Sequence, residues 1–156
     1  MSEQPQTFTP LTPEGDSLPM ALLAGLLAAA AGAAAWALVT VLTGLKIGWM
    51  AVGIGFLVGF AVRRFGKGSA PSFQVLGAVL SLVGCVAGNL LVVCVFVSRD
   101  QDLSLMTILA GLTPAVAVSW IVETFSPMDV LFYGFAVYEG YKFARLPAAP
   151  PPIAAA

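Results

Sequence analysis

The sequence predicts an all-α, polytopic membrane helical bundle: four transmembrane helices plus one broken or re-entrant helix, with five spans as the open alternative. Three observations carry that expectation. Hydrophobic residues make up 59% of the 156-residue chain and charged residues 10%, which leaves too little polar surface to cover a water-soluble domain. Long uncharged runs fill most of the chain between Leu18 and Arg145. Within those runs small residues recur at every fourth position, the spacing through which helices in lipid approach one another closely.

The chain divides into a polar N-terminal tail (residues 1–17), a bundle (18–145) and a Pro/Ala-rich C-terminal tail (146–156). The first tail carries Glu3, Glu14 and Asp16 and neither Lys nor Arg. A secretory signal begins with positive charge, so the apolar run that follows is expected to be an uncleaved anchor behind a disordered tail. Leu18 to Leu42 contains no charge and is long enough for a hydrocarbon core roughly 30 Å thick. Ile47 to Val62 is shorter and stops at Arg63, so it crosses only with snorkelling flanks or a thinned bilayer. Val75 to Ser98 is entered through Pro71, whose missing N–H suits a first helical turn, and is long enough to cross.

Arg99–Asp102 interrupts the apolar pattern, and Leu103 to Thr124 follows. Pro114 near the middle of that segment removes one helical hydrogen bond and favours a kink or break. Thr107, Gly111, Ala115, Ser119 and Glu123 stand at four-residue spacing and would make a narrow small or polar stripe along it. Pro127 to Arg145 has a marked start, with Ser126 as cap, Pro127 at the first helical position and Asp129 against the positive end of the helix dipole. The closing LPAAPPPIAAA is expected to be extended.

Basic residues set the expected orientation. With the Arg63, Arg64 and Lys67 loop in the cytoplasm, four spans bring Lys142 and Arg145 to the same side and leave Lys46 and Arg99 outside. Five spans would place Lys142 and Arg145 outside as well. Four spans with both termini cytoplasmic therefore satisfy the positive-inside rule better, and Leu103–Thr124 then lies in or dips into the far face. The expected location is a bacterial cytoplasmic membrane.

Helix association is expected through ridges of small residues: Ala21, Gly25, Ala29 and Ala33 in the first span, Ala51, Gly55 and Gly59 in the second, and Gly77, Ser81, Gly84 and Gly88 in the third. The pairs Gly55/Gly59 and Gly84/Gly88 are both GxxxG, usable for packing within the chain or for a homodimer face. The segment Thr43–Gly59, TGLKIGWMAVGIGFLVG, resembles one found in small multi-pass bacterial membrane proteins of uncharacterised function. Phe73-Gln74 and the segment SPMDVLFYGFAVYEGYK (126–142) resemble other parts of the same group, the likeness covering about a third of the chain. Where this chain has only Gly66–Ser69, members often carry a more glycine-rich loop. The resemblance implies a fold and a membrane address, and no activity.

Catalytic chemistry has little to stand on. The chain contains no histidine, and Cys85 and Cys94, nine residues apart on one helix, point to opposite sides and cannot bridge each other. They are expected to be small apolar side chains. Ser81 and Ser119 lack an activating His or Lys. Gly53-x-Gly55-x-x-x-Gly59 misses the dinucleotide-binding spacing by one place and lies inside an apolar helix. Gly66-Lys67-Gly68-Ser69 reads as a turn rather than a phosphate loop.

Two intramembrane polar residues stand out, Asn89 in the third span and Glu139 in the last. Asn89 suits interhelical hydrogen bonding or a permeation site. Glu139 can pair locally with Lys142 beside a belt of Tyr138 and Tyr141, carry a proton or cation, or meet a partner. Trp36, Trp49 and Trp120 read as packing or interface anchors. The expectation is a non-enzymatic structural, scaffolding or accessory subunit, with a small ion- or proton-coupled transporter or channel acting as an oligomer as the alternative. The expected surroundings are the lipid bilayer and a membrane-protein partner or further copies of the chain. No cofactor, metal or nucleic acid is expected.

Overall fold

The computed structural model describes residues 15–45 and 48–146. Most of both tails, up to Glu14 and from Pro147 onward, and Lys46 lie outside the described residues. Six helices follow one another: α1 (Leu18–Thr43), α2 (Trp49–Gly66), α3 (Pro71–Asp100), α4 (Leu105–Ala110), α5 (Pro114–Thr124) and α6 (Pro127–Ala144).

Local chemistry explains the boundaries. Ser17 caps α1 by accepting from the Met20 N–H at 3.4 Å, and Gly44 ends it in the left-handed region at φ 68°, where the absence of a Cβ removes the penalty. Pro71, Pro114 and Pro127 all occupy first-turn positions. The start of α6 is a reciprocal capping box: the Ser126 hydroxyl accepts from the helix start while the Asp129 carboxylate accepts from the Ser126 N–H at 2.9 Å. α4 and α5 begin at Ser104 and Thr113, whose hydroxyls accept from the Thr107 and Val116 N–H groups.

Two boundaries differ from the hydropathy reading, and a third agrees with the break expected at Pro114. α2 starts at Trp49 and runs through Arg63 and Arg64 to Gly66, because arginines in a last turn complement the helix dipole and end a hydrophobic run without ending a helix. α3 extends from Pro71 to Asp100, past the apolar run at both ends, for the same reason that polar residues are tolerated in terminal turns. Leu103–Thr124 is two helices, α4 and α5, broken at Gly111–Thr113 where Pro114 cannot continue the hydrogen-bond ladder. The expected stripe from Thr107 to Glu123 is therefore not one face of one rod. At about 16 Å, α5 is too short to cross a hydrocarbon core.

α1, α2 and α3 are long and apolar enough to cross a membrane. The number rises to four if α5 and α6, which meet at 109°, are taken as one broken span. α6 alone holds Asp129, Glu139 and Lys142, yet it packs lengthwise on α2 and α3. Its direction follows from its neighbours. Phe132 lies against Gly48, Ala136 against Gly55 and Gly140 against Gly59, so α6 runs parallel to α2; Tyr133 reaches Cys85 while Gly140 lies against Gly77, so it runs antiparallel to α3. At the other flank the Ser17 N–H donates to the Gly66 carbonyl at 3.0 Å, which joins the start of α1 to the end of α2.

The result is a ring in the order α1, α2, α6, α3, with α2 also touching α3. The starts of α1 and α3 and the ends of α2 and α6 share one end of the bundle. α4 and α5 both pack on α3 and sit toward the opposite end, between the close of α3 and the start of α6. The core is filled by Trp36, Ile54, Val58, Val62 and Cys85. Cys85 and Cys94 are both free thiols with no exposed surface, so neither is expected to react with N-ethylmaleimide until the bundle is unfolded, a result readable by mass spectrometry.

Candidate polar site in the bundle core

The glycine positions bring backbones together. A Cβ on Gly55 would stand 2.8 Å from the Ala136 Cα, and one on Gly59 would stand 2.9 Å from the Gly140 carbonyl oxygen, so this face of α2 abuts the backbone of α6. Ala51, on the same helix, is fully buried, and its carbonyl accepts from the Cys85 thiol at 3.8 Å. Gly84 sits between α2 and α1, where a Cβ would lie 2.8 Å from Ile54 Cγ2 and 3.2 Å from the Ala29 Cβ, and Gly88 faces α1, where a Cβ would lie 3.0 Å from Trp36 Cε3. These contacts fix the rotation of each helix about its axis and decide which polar residues turn inward.

Three pairs at four-residue spacing are buried in the bundle: Trp36 and Thr40 on α1, Cys85 and Asn89 on α3, and Asp129 and Tyr133 on α6. The Trp36 and Tyr133 rings meet edge to face with centroids 6.5 Å apart. Tyr133 donates its hydroxyl hydrogen to the Cys85 carbonyl oxygen at 3.3 Å, and the Asn89 amide lies beside that hydroxyl. Phe125, just before α6, places its ring 5.7 Å from Tyr133. Asp129 is buried at the same end of α6.

The cluster is incompletely satisfied. Trp36 Nε1, Thr40 Oγ1 and Asn89 Nδ2 have no hydrogen-bond partner among the described residues, although the three residues are only 1%, 2% and 3% exposed. Helical hydroxyls usually escape this by donating to the carbonyl four residues earlier, as Thr43 does to Val39, Ser81 to Gly77 and Thr124 to Trp120. Thr40 does not. Each unpaired buried group costs about 1–3 kcal/mol, so their concentration at one place is the least expected feature of an otherwise apolar core. Thr40 and Asn89 both line an open cleft of about 330 Å³ at the end of the bundle where α4 and α5 lie, walled by Val92, Val93, Phe96 and Thr124.

Glu139 belongs to a different place. It is half-buried near the end of α6, where its backbone carbonyl adjoins Gly59, far along the helix from Asn89. No Glu139–Lys142 ion pair forms. The Lys142 ammonium instead lies 5.5 Å from the centre of the Tyr138 ring and 5.6 Å from that of Phe143. The reason is that the lysine stem lies along aromatic surface, where a cation gains from the ring faces without holding two charged side chains in one geometry. Asn89, for its part, makes no interhelical hydrogen bond through Nδ2.

Of the tryptophans, Trp36 is core whereas Trp49 is 73% exposed and rests against Phe132 at 6.0 Å between centroids. Thr40, Tyr133 and Asp129 escaped the sequence reading as site residues. The available signal was the repeated four-residue spacing of polar pairs on three separate helices. Among the described residues no three His, Cys, Asp or Glu side chains converge as a metal ion would require. No family model, curated protein or solved structure matches this chain.

Proposed function

We propose that the chain is a four-span membrane protein serving as a structural, scaffolding or accessory subunit in a bacterial cytoplasmic membrane, without catalysis of its own. The observation that carries this reading is the closed interior. Glycines on α2 and α3 bring backbones into contact, and Trp36, Ile54, Val58 and Val62 are buried along the axis, so the ring of helices is filled rather than hollow. Outward, α1 presents Leu22, Leu23, Leu26, Leu27, Leu38 and Leu42 to lipid or to a partner helix.

Arg63, Arg64, Lys67, Lys142 and Arg145 lie toward one end of the ring and Arg99 toward the other, which supports placing the first end in the cytoplasm. The resemblance of Thr43–Gly59 to small multi-pass bacterial membrane proteins agrees with that address. The alternative is an ion- or proton-coupled transporter acting as an oligomer, and the burial of Asp129 beside the Tyr133 cluster is the observation on its side. Purification in mild detergent, with identification of co-eluting membrane proteins, tests the first reading. A stoichiometric partner is expected, together with no proton or cation flux above empty liposomes after reconstitution. Flux that falls with Asp129→Asn would replace it with the second.

A further inference from the structure

We infer that the cleft between α1, α3 and α5 is a binding site for the ester carbonyl of a membrane glycerolipid, held by Thr40 and Asn89. This goes beyond the scaffolding proposal: it rests on the membrane placement proposed there and not on the scaffolding role. The first ground is chemical. Among the described residues Thr40 Oγ1 is buried without a partner and Asn89 Nδ2 lies beside the Tyr133 hydroxyl without a hydrogen bond of good geometry, both residues line the same cleft, and an amide N–H and a hydroxyl are donors that an acceptor oxygen would satisfy. Neither donor side chain is charged, and the walls of Val92, Val93 and Phe96 are apolar, so the cleft suits an uncharged acceptor attached to hydrocarbon rather than an anion.

The second ground is depth. From Leu18 to Thr40 α1 rises about 33 Å, and from Pro71 to Asn89 α3 rises about 27 Å. Both starts lie at the basic end of the bundle, so the donors sit at the opposite boundary of a hydrocarbon layer about 30 Å thick. That is the level at which fatty acyl chains end in ester groups. The third ground is access: the cleft is open and its Phe96 wall is 44% exposed, so a lipid enters it from the side, while Thr40 Oγ1 and Asn89 Nδ2 lie beneath its surface and a side-chain rotation brings each donor to a bound carbonyl.

The test uses the full chain, purified and delipidated in mild detergent, with two probes offered at equal concentration. One is a diacyl phosphatidylethanolamine. The other is its dialkyl ether counterpart, with the same headgroup and chain length and no carbonyl. Retained lipid is read by native mass spectrometry. The wild-type chain is expected to retain the ester lipid about tenfold better, the worth of one hydrogen bond to an otherwise unpaired donor. Asn89→Leu is expected to abolish the preference while melting at or above the wild-type temperature, because it removes an unpaired amide. Thr40→Val, close in shape to threonine, is expected to reduce the preference and provides the decision if Asn89→Leu does not fold. Equal retention of the two lipids by the wild type, as would follow if water alone satisfied the donors, overturns the proposal. So does a preference that survives the folded variants.

Discussion

Gly55→Ile is expected to separate α2 from α6 and to cost the bundle about 3 kcal/mol or more, the upper range for overpacking a filled interior. A Cβ at this position meets the Ala136 carbonyl oxygen and stands 2.8 Å from its Cα, and backbone cannot swing aside as a side chain does. Gly53 provides the control on the same helix and Gly134 the control on the facing one, since a Cβ at either meets nothing within 4 Å. Isoleucine at those two positions should leave thermal stability in detergent nearly unchanged. Equal tolerance at all three would mean that the Gly55 face meets lipid and that α6 packs elsewhere.

Trp36→Ala is expected to cost about 3 kcal/mol or more, the range for truncating a buried aromatic residue. In lipid this loss is one of packing rather than of water exclusion, since the surrounding tails are as apolar as the core. The ring is 1% exposed, meets Tyr133 edge to face and approaches Gly88 from α1. Trp36→Phe should cost far less, because it keeps an aromatic ring against Tyr133 and removes the unpaired indole N–H. Melting temperatures of the two variants, measured side by side, separate the packing role of the ring from the burden of its nitrogen. A phenylalanine variant as unstable as the alanine one would mean that the N–H has a partner of energetic consequence.

Hydropathy and breaker residues made most of the helix order readable in advance. Leu18–Leu42 became α1 because nothing in it interrupts a helix, and Pro114 divided Leu103–Thr124 because its ring forbids the hydrogen bond a continuous helix needs there. Ser126, Pro127 and Asp129 announced the start of α6 through local chemistry alone. Arg63 misled because charge ends a hydrophobic run without ending a helix. The unformed Glu139–Lys142 pair shows a related limit: spacing makes the pair reachable, but the nearby Tyr138 and Phe143 rings compete for the ammonium.

The polar cluster was the least legible part. Asn89 stood out as an amide in a span, whereas Thr40 and Tyr133 are unremarkable within apolar helices. Their convergence depends on how each helix is rotated, and that rotation is set by contacts such as Gly55 on Ala136 and Gly88 on Trp36. Sequence spacing fixes which residues share a face. It does not say which faces meet.

Four helices alternate in direction, with α4 and α5 lying at one end of the bundle and the start of α1 and the end of α6 at the other. Single cysteines at Asp16, Asp102 and Arg145, introduced one at a time into a Cys85→Ala, Cys94→Ala chain, test this arrangement through labelling by a membrane-impermeant maleimide in intact and permeabilised cells. Asp102→Cys is expected to label in intact cells, and Asp16→Cys and Arg145→Cys only after permeabilisation. Labelling of Asp16→Cys and Arg145→Cys from opposite sides would contradict the account and establish an odd number of crossings.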